Sequence, residues 1–378
     1  MELGTLFGSI LLRRLTAGFR RLQRPLSGKL PQRVGGAEHD PSRRSVWRSK
    51  ENRRDQGDDQ VRPIMSAIAA LMVCAVSAAT VQAAERVPVV ASFSIIGDLV
   101  KQVGGERVDV DLLVGPDVDM HSFQPSPADS RKLVDAKLVV TNGLGLEGWA
   151  DRLIKASGYD GDRLIASKGV NALAAHDHGK EPGDDEDHGK GSDHHHGAND
   201  PHAWQDVGNA RIYVSNIRDA LIDIDPENAS AYRENAKRYL GELDALDRDI
   251  RAAVARIPAD KRRVITTHDA FNYFENAYGI EFLAAQGVSG DTEPSARDIA
   301  RLIRQIRKEK VAALFPENIS DGRLLDRIAK ETRAKIGGSL YSDALSPADG
   351  PSATYVDMMR HNIRTITDAL AGQGGRPQ

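Results

Sequence analysis

The sequence predicts an α/β protein in which two βα lobes with mainly parallel sheets are joined by one long rigid helix. Short apolar runs suited to buried strands alternate with amphipathic stretches, which is typical of βα units. A single helical stripe separates these units into two groups. The 295 residues from Ala84 to Gln378 also exceed what one hydrophobic core usually fills, which favours two lobes.

The N-terminal segment is not expected to belong to the folded protein. Residues 65–83 follow the positive charge of Arg62 and combine an apolar run with small residues up to Ala83, as a cleaved signal peptide does. The run is short for a membrane span, so a retained anchor is the weaker alternative. Residues 1–64 carry 14 Lys and Arg and would suit a basic tail for nucleic acid or membrane. Because a signal peptide normally begins a chain, we instead predict Met65 as the initiator and residues 1–64 as a non-native extension.

The predicted mature chain is acidic and lacks cysteine. From Ala84 onward it holds 37 Lys and Arg against 47 Asp and Glu, a net charge of about −10. Such a surface argues against nucleic acid and is compatible with a cationic ligand. Cys74 lies in the signal segment and follows Val73, whereas a lipoprotein anchor needs a small residue there. The mature protein is therefore predicted to have no disulfide and no thiolate metal ligand.

Residues 84–224 are predicted to form the N-terminal lobe. Its strands are short apolar runs at Val87–Phe93, Val108–Val114, Lys137–Thr141 and Arg163–Ile165. An insertion at residues 175–199 holds six histidines and seven Asp or Glu, but no large apolar residue. Such a composition cannot bury enough surface to offset the entropy lost on ordering, so we predict a disordered loop here.

Residues 225–257 are predicted to form the linking helix. Asp225 is a suitable N-cap, Pro226 suits the first helical position and Pro258 ends the pattern. Apolar residues recur every three or four positions, at Tyr232, Ala236, Leu240, Leu243, Leu246, Ile250 and Val254. About thirty residues at ~1.5 Å each span roughly 45 Å, the scale of a spine between domains. A coiled-coil dimer is the alternative, but the stripe is single and about four heptads long.

Residues 258–378 are predicted to form the C-terminal lobe. Four further apolar runs alternate with amphipathic stretches and are predicted as strands, at Arg263–Thr267, Glu281–Ala284, Val311–Phe315 and Ala334–Tyr341. The alternation again indicates βα units and a mainly parallel sheet.

Three histidines lie where a predicted strand or loop ends. His121 precedes the helix start marked by the capping pattern of residues 126–129, His202 follows the insertion and the stiff Pro201, and His268 ends a β-branched strand. A lone histidine in such a place usually has a structural or surface role. Three of them favour a metal site, but no short ligand spacing such as HExxH is present, so spacing alone leaves both interpretations open.

Six motifs, in order, closely resemble the cluster A-I family of solute-binding proteins, which serve zinc and manganese ABC importers. They are MHSFQPSP, NGLGLEGW, NDPHAW, VITTHDAFNYF, TEPSARDIARLIRQIRKEKVAALFPE and LYSDALS. The resemblance covers about Val87 to Leu370 and implies two α/β lobes joined by a rigid helix, with the metal in the cleft between them. One departure is Gln124, where many relatives have Glu at a position that is not a ligand.

The resemblance implies four metal ligands, two from each lobe: His121, His202, His268 and Asp343. Three neutral imidazoles and a carboxylate suit a tetrahedral Zn²⁺ site and leave little room for an activated water. Glu317 also follows a strand and is the alternative to Asp343 as the fourth ligand. Asp206 and Asp269 are candidates to orient an imidazole, although a surface or capping role is commoner for such residues.

Zinc is the predicted ligand. Manganese receptors of the family usually have Glu where this chain has His268 and lack a histidine-rich loop, and imidazole suits zinc better than manganese. The insertion is predicted to form a weaker auxiliary zinc site from its six histidines, His176, His178, His188, His194, His195 and His196.

The predicted protein is a monomeric periplasmic receptor and not an enzyme. It would capture Zn²⁺ and deliver it to the inner-membrane permease of an ABC importer, with no nucleic-acid partner. The alternatives are a manganese receptor of the same family, a zinc-dependent hydrolase, and a surface adhesin or zinc buffer. A hydrolase needs an open coordination position, and a buffer binds many ions weakly instead of one tightly.

Overall fold

A computed structural model describes residues 85–175, 199–288, 295–309, 311 and 313–370. The chain divides into one unit that ends at Val81 and a second that begins at Gln82, and every described residue belongs to the second unit. The predicted extension, the signal peptide and all six histidines of the insertion lie outside the described residues.

The N-terminal lobe is built on a parallel sheet with strand order β2-β1-β3-β4. Its strands are β1 (Val87–Phe93), β2 (Val108–Val114), β3 (Leu138–Thr141) and β4 (Asp162–Ile165). Its connecting helices are α1 (Ser94–Gly104), α2 (Pro127–Val134) and α3 (Ala150–Ser157). All four predicted strands are confirmed, and β3 and β4 each differ by one residue at the start. The continuous apolar runs of β1 and β3 are buried, as expected of central strands covered on both faces.

The C-terminal lobe repeats this arrangement with strand order β6-β5-β7-β8, again all parallel. Its strands are β5 (Arg263–Thr266), β6 (Glu281–Ala284), β7 (Ala313–Phe315) and β8 (Lys335–Ile336). Its helices are α6 (Asn272–Tyr278), α7 (Ala296–Glu309) and α8 (Arg323–Thr332). The predicted fold class of two parallel-sheet lobes is confirmed.

The last strand of the C-terminal lobe is much shorter than predicted. The sequence predicted a strand over Ala334–Tyr341, but β8 ends at Ile336 and pairing resumes only at a single bridge between Leu340 and Glu317. Gly337 explains the interruption, because a Cβ there would lie 2.3 Å from the ring of Phe315. The glycine lets the backbone pass close to β7 but adds no side chain to the sheet.

Two helices, α4 (Val207–Ile224) and α5 (Ala229–Ala255), lie between β4 and β5 along the chain and pack against each other. The linking helix begins four residues later than its predicted N-cap, because Pro226–Asn228 form a tighter 3₁₀ turn. The Asp225 carboxylate accepts a hydrogen bond from the Tyr232 hydroxyl at 2.6 Å and caps no backbone amide of the helix. The 27 residues of α5 are long enough to act as the predicted spine.

The apolar stripe of α5 is wider than predicted. Tyr239 is buried, whereas the predicted core residue Leu240 is only partly buried. The reason is that α5 contacts α1, α4 and the C-terminal helix α9 (Tyr355–Leu370), so more than one face is covered. No helix of the described residues is long and apolar enough to cross a membrane.

The protein has one large hydrophobic core and one small one. The large core joins the N-terminal lobe, α4, α5, α6 and α9. The small core lies behind the C-terminal sheet, at Ile265, Leu302, Ile306, Val311, Leu314, Leu325 and Ile328. Neighbouring residues of β5 and β7 alternate between the two cores, as the pleat of a strand requires. The C-terminal helix therefore packs with the N-terminal lobe, and the Tyr355 N–H donates to Asp98 Oδ2 at 2.8 Å.

Candidate metal centre

His121 lies on the connection between β2 and α2. Its main-chain N–H donates to Asp119 Oδ1 at 2.9 Å, which fixes the turn that presents the ring. The predicted helix start follows, since the Asp129 carboxylate accepts hydrogen bonds from the main-chain N–H and the hydroxyl of Ser126. Phe123 packs edge-on against Trp149, with ring centroids 5.0 Å apart. The loop that carries His121 is thus fixed locally by Asp119 before the histidine and anchored to the N-terminal lobe after it.

His202 is fully buried at the end of the insertion. Asp200 Oδ1 accepts its main-chain N–H at 2.9 Å and lies 2.8 Å from its ring Nδ1. The Asn142 amide donates to the intervening carbonyl of Pro201 at 2.9 Å, and Trp204 packs against the imidazole with centroids 5.3 Å apart. One buried carboxylate therefore holds both the backbone and the ring of His202, and leaves Nε2 free to face the cleft.

His268 has the same kind of support from the other lobe. It follows β5 and is 3% exposed. Glu317 Oε1 accepts the His268 N–H at 2.9 Å, and Glu317 Oε2 lies 2.6 Å from its Nδ1. The carboxylate that the sequence left open as a metal ligand is therefore engaged behind His268, and the Nε2 of that ring is directed to the opposite side.

Asp343 follows β8 and is fully buried. Its Oδ2 lies 3.0 Å from His121 Nε2 and 3.1 Å from His268 Nε2, and its Oδ1 lies 3.6 Å from His202 Nε2. The Asn362 side chain on α9 fixes the main chain two residues before Asp343. It accepts the N–H of Tyr341 at 2.9 Å and donates to the carbonyl of Tyr341 at 2.7 Å. His361 on the same helix contacts the carbonyl of Ser339.

The four side chains converge as the ligands of one ion would. One donor atom from each of His121, His202, His268 and Asp343 lies within 4.8 Å of all the others. In a tetrahedral site with metal bonds of 2.0–2.2 Å, the donor atoms are roughly 3.3–3.6 Å apart. The closest separations here run from 3.0 to 3.6 Å. Asp343 Oδ1 is also buried without a hydrogen-bond partner among the described residues, which suits an atom that binds a cation.

In the metal-free protein, the pKa values of His202, His268 and Asp343 are shifted by one another's charges. Burial disfavours the imidazolium of His202, but the carboxylates of Asp343 and Asp200 outweigh it and raise the pKa to about 9. For His268, burial again opposes the charge, and Glu317 with Asp343 raises the pKa well above its ordinary value. Burial would raise the pKa of Asp343, but His202 and His268 hold it well below its usual range. The buried carboxylates thus favour the positively charged forms of His202 and His268.

Asp200 and Glu317 are the carboxylates that lie beside the Nδ1 atoms of His202 and His268. Asp206 accepts the Gly208 N–H at 2.8 Å and caps α4, which confirms the capping role that the sequence favoured for it. Asp269 is buried, with its main-chain N–H 3.5 Å from the carbonyl of Gly287. Sequence reasoning missed Asp200. The signal was present, because Asp200 stands two residues before His202 as Asp119 stands before His121.

An open cavity leads to the site from one side. It has a volume of about 640 Å³ and lies beside His268, between the loop of Asp119 and the start of α8. Ser320, Arg323 and Arg327 contribute to its walls. Of the four converging side chains His202 and Asp343 are completely covered, so an ion would approach past His268 and His121.

The chain matches the family described as zinc-uptake complex component A, periplasmic, over residues 89–369. The manganese-binding lipoprotein MntA of Halalkalibacterium halodurans is 31% identical over 287 residues, which cover 76% of this chain and 89% of that protein. The range matched by the family, residues 89–369, spans both lobes and contains the positions of all four converging residues.

Two solved structures have the same fold. The periplasmic zinc-binding protein TroA from Treponema pallidum superposes with a TM-score of 0.67 at 29% identity, and the match covers 75% of this chain and 99% of that one. A manganese-bound variant of a periplasmic metal-binding protein from Candidatus Liberibacter asiaticus gives a TM-score of 0.66 at 31% identity, with 75% and 100% covered.

Proposed function

Since the chain belongs to the periplasmic family of zinc-uptake complex component A, we propose that it captures Zn²⁺ in the cleft and delivers it to an inner-membrane permease. It is a metal-binding receptor of an ABC importer that acts outside the cytoplasm. The observation that carries the proposal is the convergence of three imidazoles and one carboxylate within 4.8 Å. We assign His121, His202, His268 and Asp343 as the ligands.

The donor set supports zinc as the cargo. Three neutral imidazole nitrogens and one carboxylate oxygen suit Zn²⁺, whereas manganese prefers a set richer in oxygen. Glu317 is the alternative fourth ligand, but its two oxygens contact the N–H and Nδ1 of His268, on the side of the ring away from the other three ligands. Four protein ligands complete a tetrahedral shell and leave no position for an activated water, which supports a receptor over a hydrolase.

Manganese is the second candidate. Asp343 Oδ1 has no hydrogen-bond partner among the described residues, so both oxygens of this carboxylate could bind one ion. A bidentate Asp343 would give five donor atoms and a shell closer to what manganese prefers. The relative from Halalkalibacterium halodurans is named as a manganese-binding protein, and one of the matching structures holds manganese.

The insertion is proposed as a weaker zinc site that gathers metal near the cleft. Its two ends meet in an antiparallel bridge between Ala174 and Asn199, and the Asp200 N–H donates to the carbonyl of Leu173 at 2.8 Å. Asn199 precedes the assigned ligand His202 by three residues. Zinc held by these histidines would therefore be released close to the cleft, and we propose that it is bound more weakly there than by the preorganised ligands of the cleft.

We also propose that the mature protein is a periplasmic monomer that begins near Ala84. This proposal depends on the signal-peptide pattern of residues 65–83. Mass spectrometry of the protein isolated from its native cells tests it directly. A lipid on Cys74, or a chain that begins near Met1, would contradict it.

Metal titration tests the cargo. The purified protein, stripped of metal, is titrated calorimetrically with Zn²⁺ and with Mn²⁺, in parallel with a variant that lacks residues 176–196. We expect one tight and at least one weaker Zn²⁺ in the intact protein, and the tight one alone in the deletion variant. Tight binding of Mn²⁺ in preference to Zn²⁺ would favour the second candidate. Absence of any tight divalent cation would overturn the receptor proposal.

A further inference from the structure

The segment that carries His202 belongs to the N-terminal lobe by chain order but is hydrogen-bonded to the C-terminal lobe. Trp204 Nε1 and Gln205 Nε2 both donate to the carbonyl of Ser342 at 2.9 Å. The Tyr355 hydroxyl donates to the carbonyl of Trp204 at 2.7 Å. Because Ser342 directly precedes Asp343, these contacts tie His202 and Asp343 together behind the site.

Tyr273 links the segment before His202 to the helix that follows His268. It lies on the second residue of α6, five residues after His268, and is 2% exposed. Its hydroxyl accepts the Leu173 N–H at 3.0 Å and donates to the carbonyl of Asp200 at 3.0 Å. Both hydrogen-bonding roles of the hydroxyl are therefore used on main-chain groups of the N-terminal lobe.

Asp200 is the residue through which Tyr273 reaches the metal centre. The main chain of Asp200 is held by Tyr273 and Leu173, while its carboxylate holds the N–H and the Nδ1 of His202. A shift of this backbone moves the carboxylate and turns the imidazole with it. Residues that orient a ligating histidine in this way tune metal affinity without touching the ion.

We propose that Tyr273 is a positioning residue for metal capture, which holds Asp200, and through it His202, in register with His268. This inference rests on the proposed function, because it assumes that His202 and His268 bind the same ion. It makes His202, His268 and Asp343 one hydrogen-bonded block that is assembled before the ion arrives.

A purely structural role for the hydroxyl is the competing explanation, and the chain offers a matched control. Tyr278 lies on the same helix, and its hydroxyl accepts the Val207 N–H at 3.3 Å and donates to Asp247 Oδ1 at 3.1 Å. Tyr273→Phe and Tyr278→Phe therefore remove the same group from the same helix, each with one main-chain donor and one oxygen acceptor. Of the two tyrosines, only Tyr273 contacts the backbone of Asp200, the residue that holds the imidazole of His202.

The test compares the two variants in the otherwise unchanged protein. Zn²⁺ affinity is measured by competition with a chelator, the visible absorption of the Co²⁺-loaded protein reports ligand geometry, and the melting temperature is measured without metal. We expect Tyr273→Phe to weaken Zn²⁺ binding about tenfold and to change the Co²⁺ spectrum. We expect Tyr278→Phe to match wild type in both, and the two melting temperatures to fall by similar amounts.

Asp200→Asn provides a second variant that retains Tyr273. It should reproduce the change in the Co²⁺ spectrum, and it keeps the inference testable if Tyr273→Phe does not fold. Wild-type affinity and spectrum in Tyr273→Phe would overturn the inference, as would equal losses of affinity in both tyrosine variants. A wild-type protein without tight Zn²⁺ or Mn²⁺ binding would instead overturn the proposed function.

Discussion

The two histidines of the N-terminal lobe stand in the same local sequence pattern but have different support. In both Asp119-Met120-His121 and Asp200-Pro201-His202, the histidine N–H donates to the aspartate Oδ1 at 2.9 Å. Asp200 also lies 2.8 Å from the ring Nδ1 of its histidine. The His121 Nδ1 makes no hydrogen bond to any residue that the structure describes. The same D-x-H pattern thus fixes a ring in one place and only a turn in the other.

The four assigned ligands are therefore not equivalent. The side chain of His202 is fully buried, whereas that of His121 is 7% exposed. The His202 segment is bonded to Ser342, Tyr273 and Tyr355 behind the site. The His121 loop reaches the C-terminal lobe through Asp117, whose N–H donates to the carbonyl of Leu345 at 3.0 Å. We infer three ligands in a fixed block and a fourth on a separately anchored loop.

The largest expected effect comes from removal of a ligand. Structural zinc sites with four ligands in zinc-finger peptides bind with about 10–16 kcal/mol, and on that scale the loss of one of four ligands should weaken Zn²⁺ binding by at least about two orders of magnitude. We expect this for His121→Ala, His202→Ala and His268→Ala, measured by chelator competition. Glu317→Ala should weaken binding less than Asp343→Ala, because the carboxylate of Glu317 holds the N–H and Nδ1 of His268 and does not face the other ligands.

The metal-free stability of these variants separates the two histidines. His202→Ala removes the imidazole that pairs with the buried carboxylate of Asp200 and also faces Asp343, and breaking a buried pair costs about 3–5 kcal/mol. His121→Ala removes a side chain at the edge of the site and should leave the melting temperature nearly unchanged. Equal melting temperatures for the two variants would contradict the fixed block. The sequence places each histidine at the end of a strand or loop, and from that position alone we would expect every one of them to be replaceable without loss of the fold.

The second prediction concerns pH. The carboxylates of Asp343 and Asp200 overcome burial and raise the pKa of His202 to about 9, so this ring carries a proton at neutral pH in the metal-free protein. A metal ion binds only the neutral imidazole, and binding must therefore release the proton. We expect Zn²⁺ affinity to rise roughly tenfold per pH unit and per released proton up to about pH 9. Calorimetry at pH 7.5 in buffers of different ionisation enthalpy counts the protons, and a count of zero would refute the coupling.

The same pKa shifts set the stability of the metal-free protein. The pKa of His202 is higher in the folded than in the unfolded chain, so its contribution is complete below about pH 6.5 and is lost as the pH rises through about 9. The pKa of Asp343 is lowered by folding, so its contribution is present above about pH 3.9 and is lost as the pH falls below that. Calorimetric melting should therefore show the metal-free protein most stable in mild acid. A melting temperature that rises from pH 6.5 to 9 would contradict this.

The third prediction compares the two aspartates of the D-x-H pattern. Asp200→Asn removes the charge beside the ring of His202 and should weaken Zn²⁺ binding by about 10- to 100-fold. Asp119→Asn should change it by less than about threefold, because an amide oxygen can still accept the N–H of His121. Glu317→Gln should behave like Asp200→Asn, since Glu317 supports His268 in the same way. Equal losses of Zn²⁺ affinity in Asp119→Asn and Asp200→Asn would show that the contact of Asp200 with the ring of His202 does not influence zinc binding.

Local patterns predicted most of the fold, and long-range contacts account for what they missed. The capping pattern at Ser126 and the strands of the first lobe depend on neighbours within a few residues, and both were predicted correctly. The four converging side chains came from the family resemblance, because histidine spacing alone left the question open. The roles of Glu317 and Tyr273 could not be predicted, since their partners His268 and Asp200 are 49 and 73 residues away. The early end of β8 likewise depends on the ring of Phe315 on a neighbouring strand.

The smallest expected effect concerns the contact that holds the His121 loop to the C-terminal lobe. The Asn318 amide donates to Asp117 Oδ1 at 2.9 Å, at the exposed end of the loop. Asp117 has a φ of 53°, in the left-handed region where glycine and asparagine are the least strained residues. Asp117→Gly therefore removes the carboxylate without added backbone strain, and Asp117→Asn keeps an oxygen that can accept the Asn318 amide.

Loss of this single hydrogen bond should affect the rate of release more than the assembled site. A net contribution of about 0.5–1.5 kcal/mol corresponds to roughly a two- to tenfold change, which we expect as faster Zn²⁺ dissociation in Asp117→Gly, measured by stopped-flow transfer to a chelator. Asp117→Asn should retain most of the wild-type rate. Because the other three ligands are held in their own block, the Co²⁺ spectrum of both variants should match wild type. A slower release in Asp117→Gly, or a spectrum as altered as that of Asp200→Asn, would mean that the His121 loop and the block are one unit.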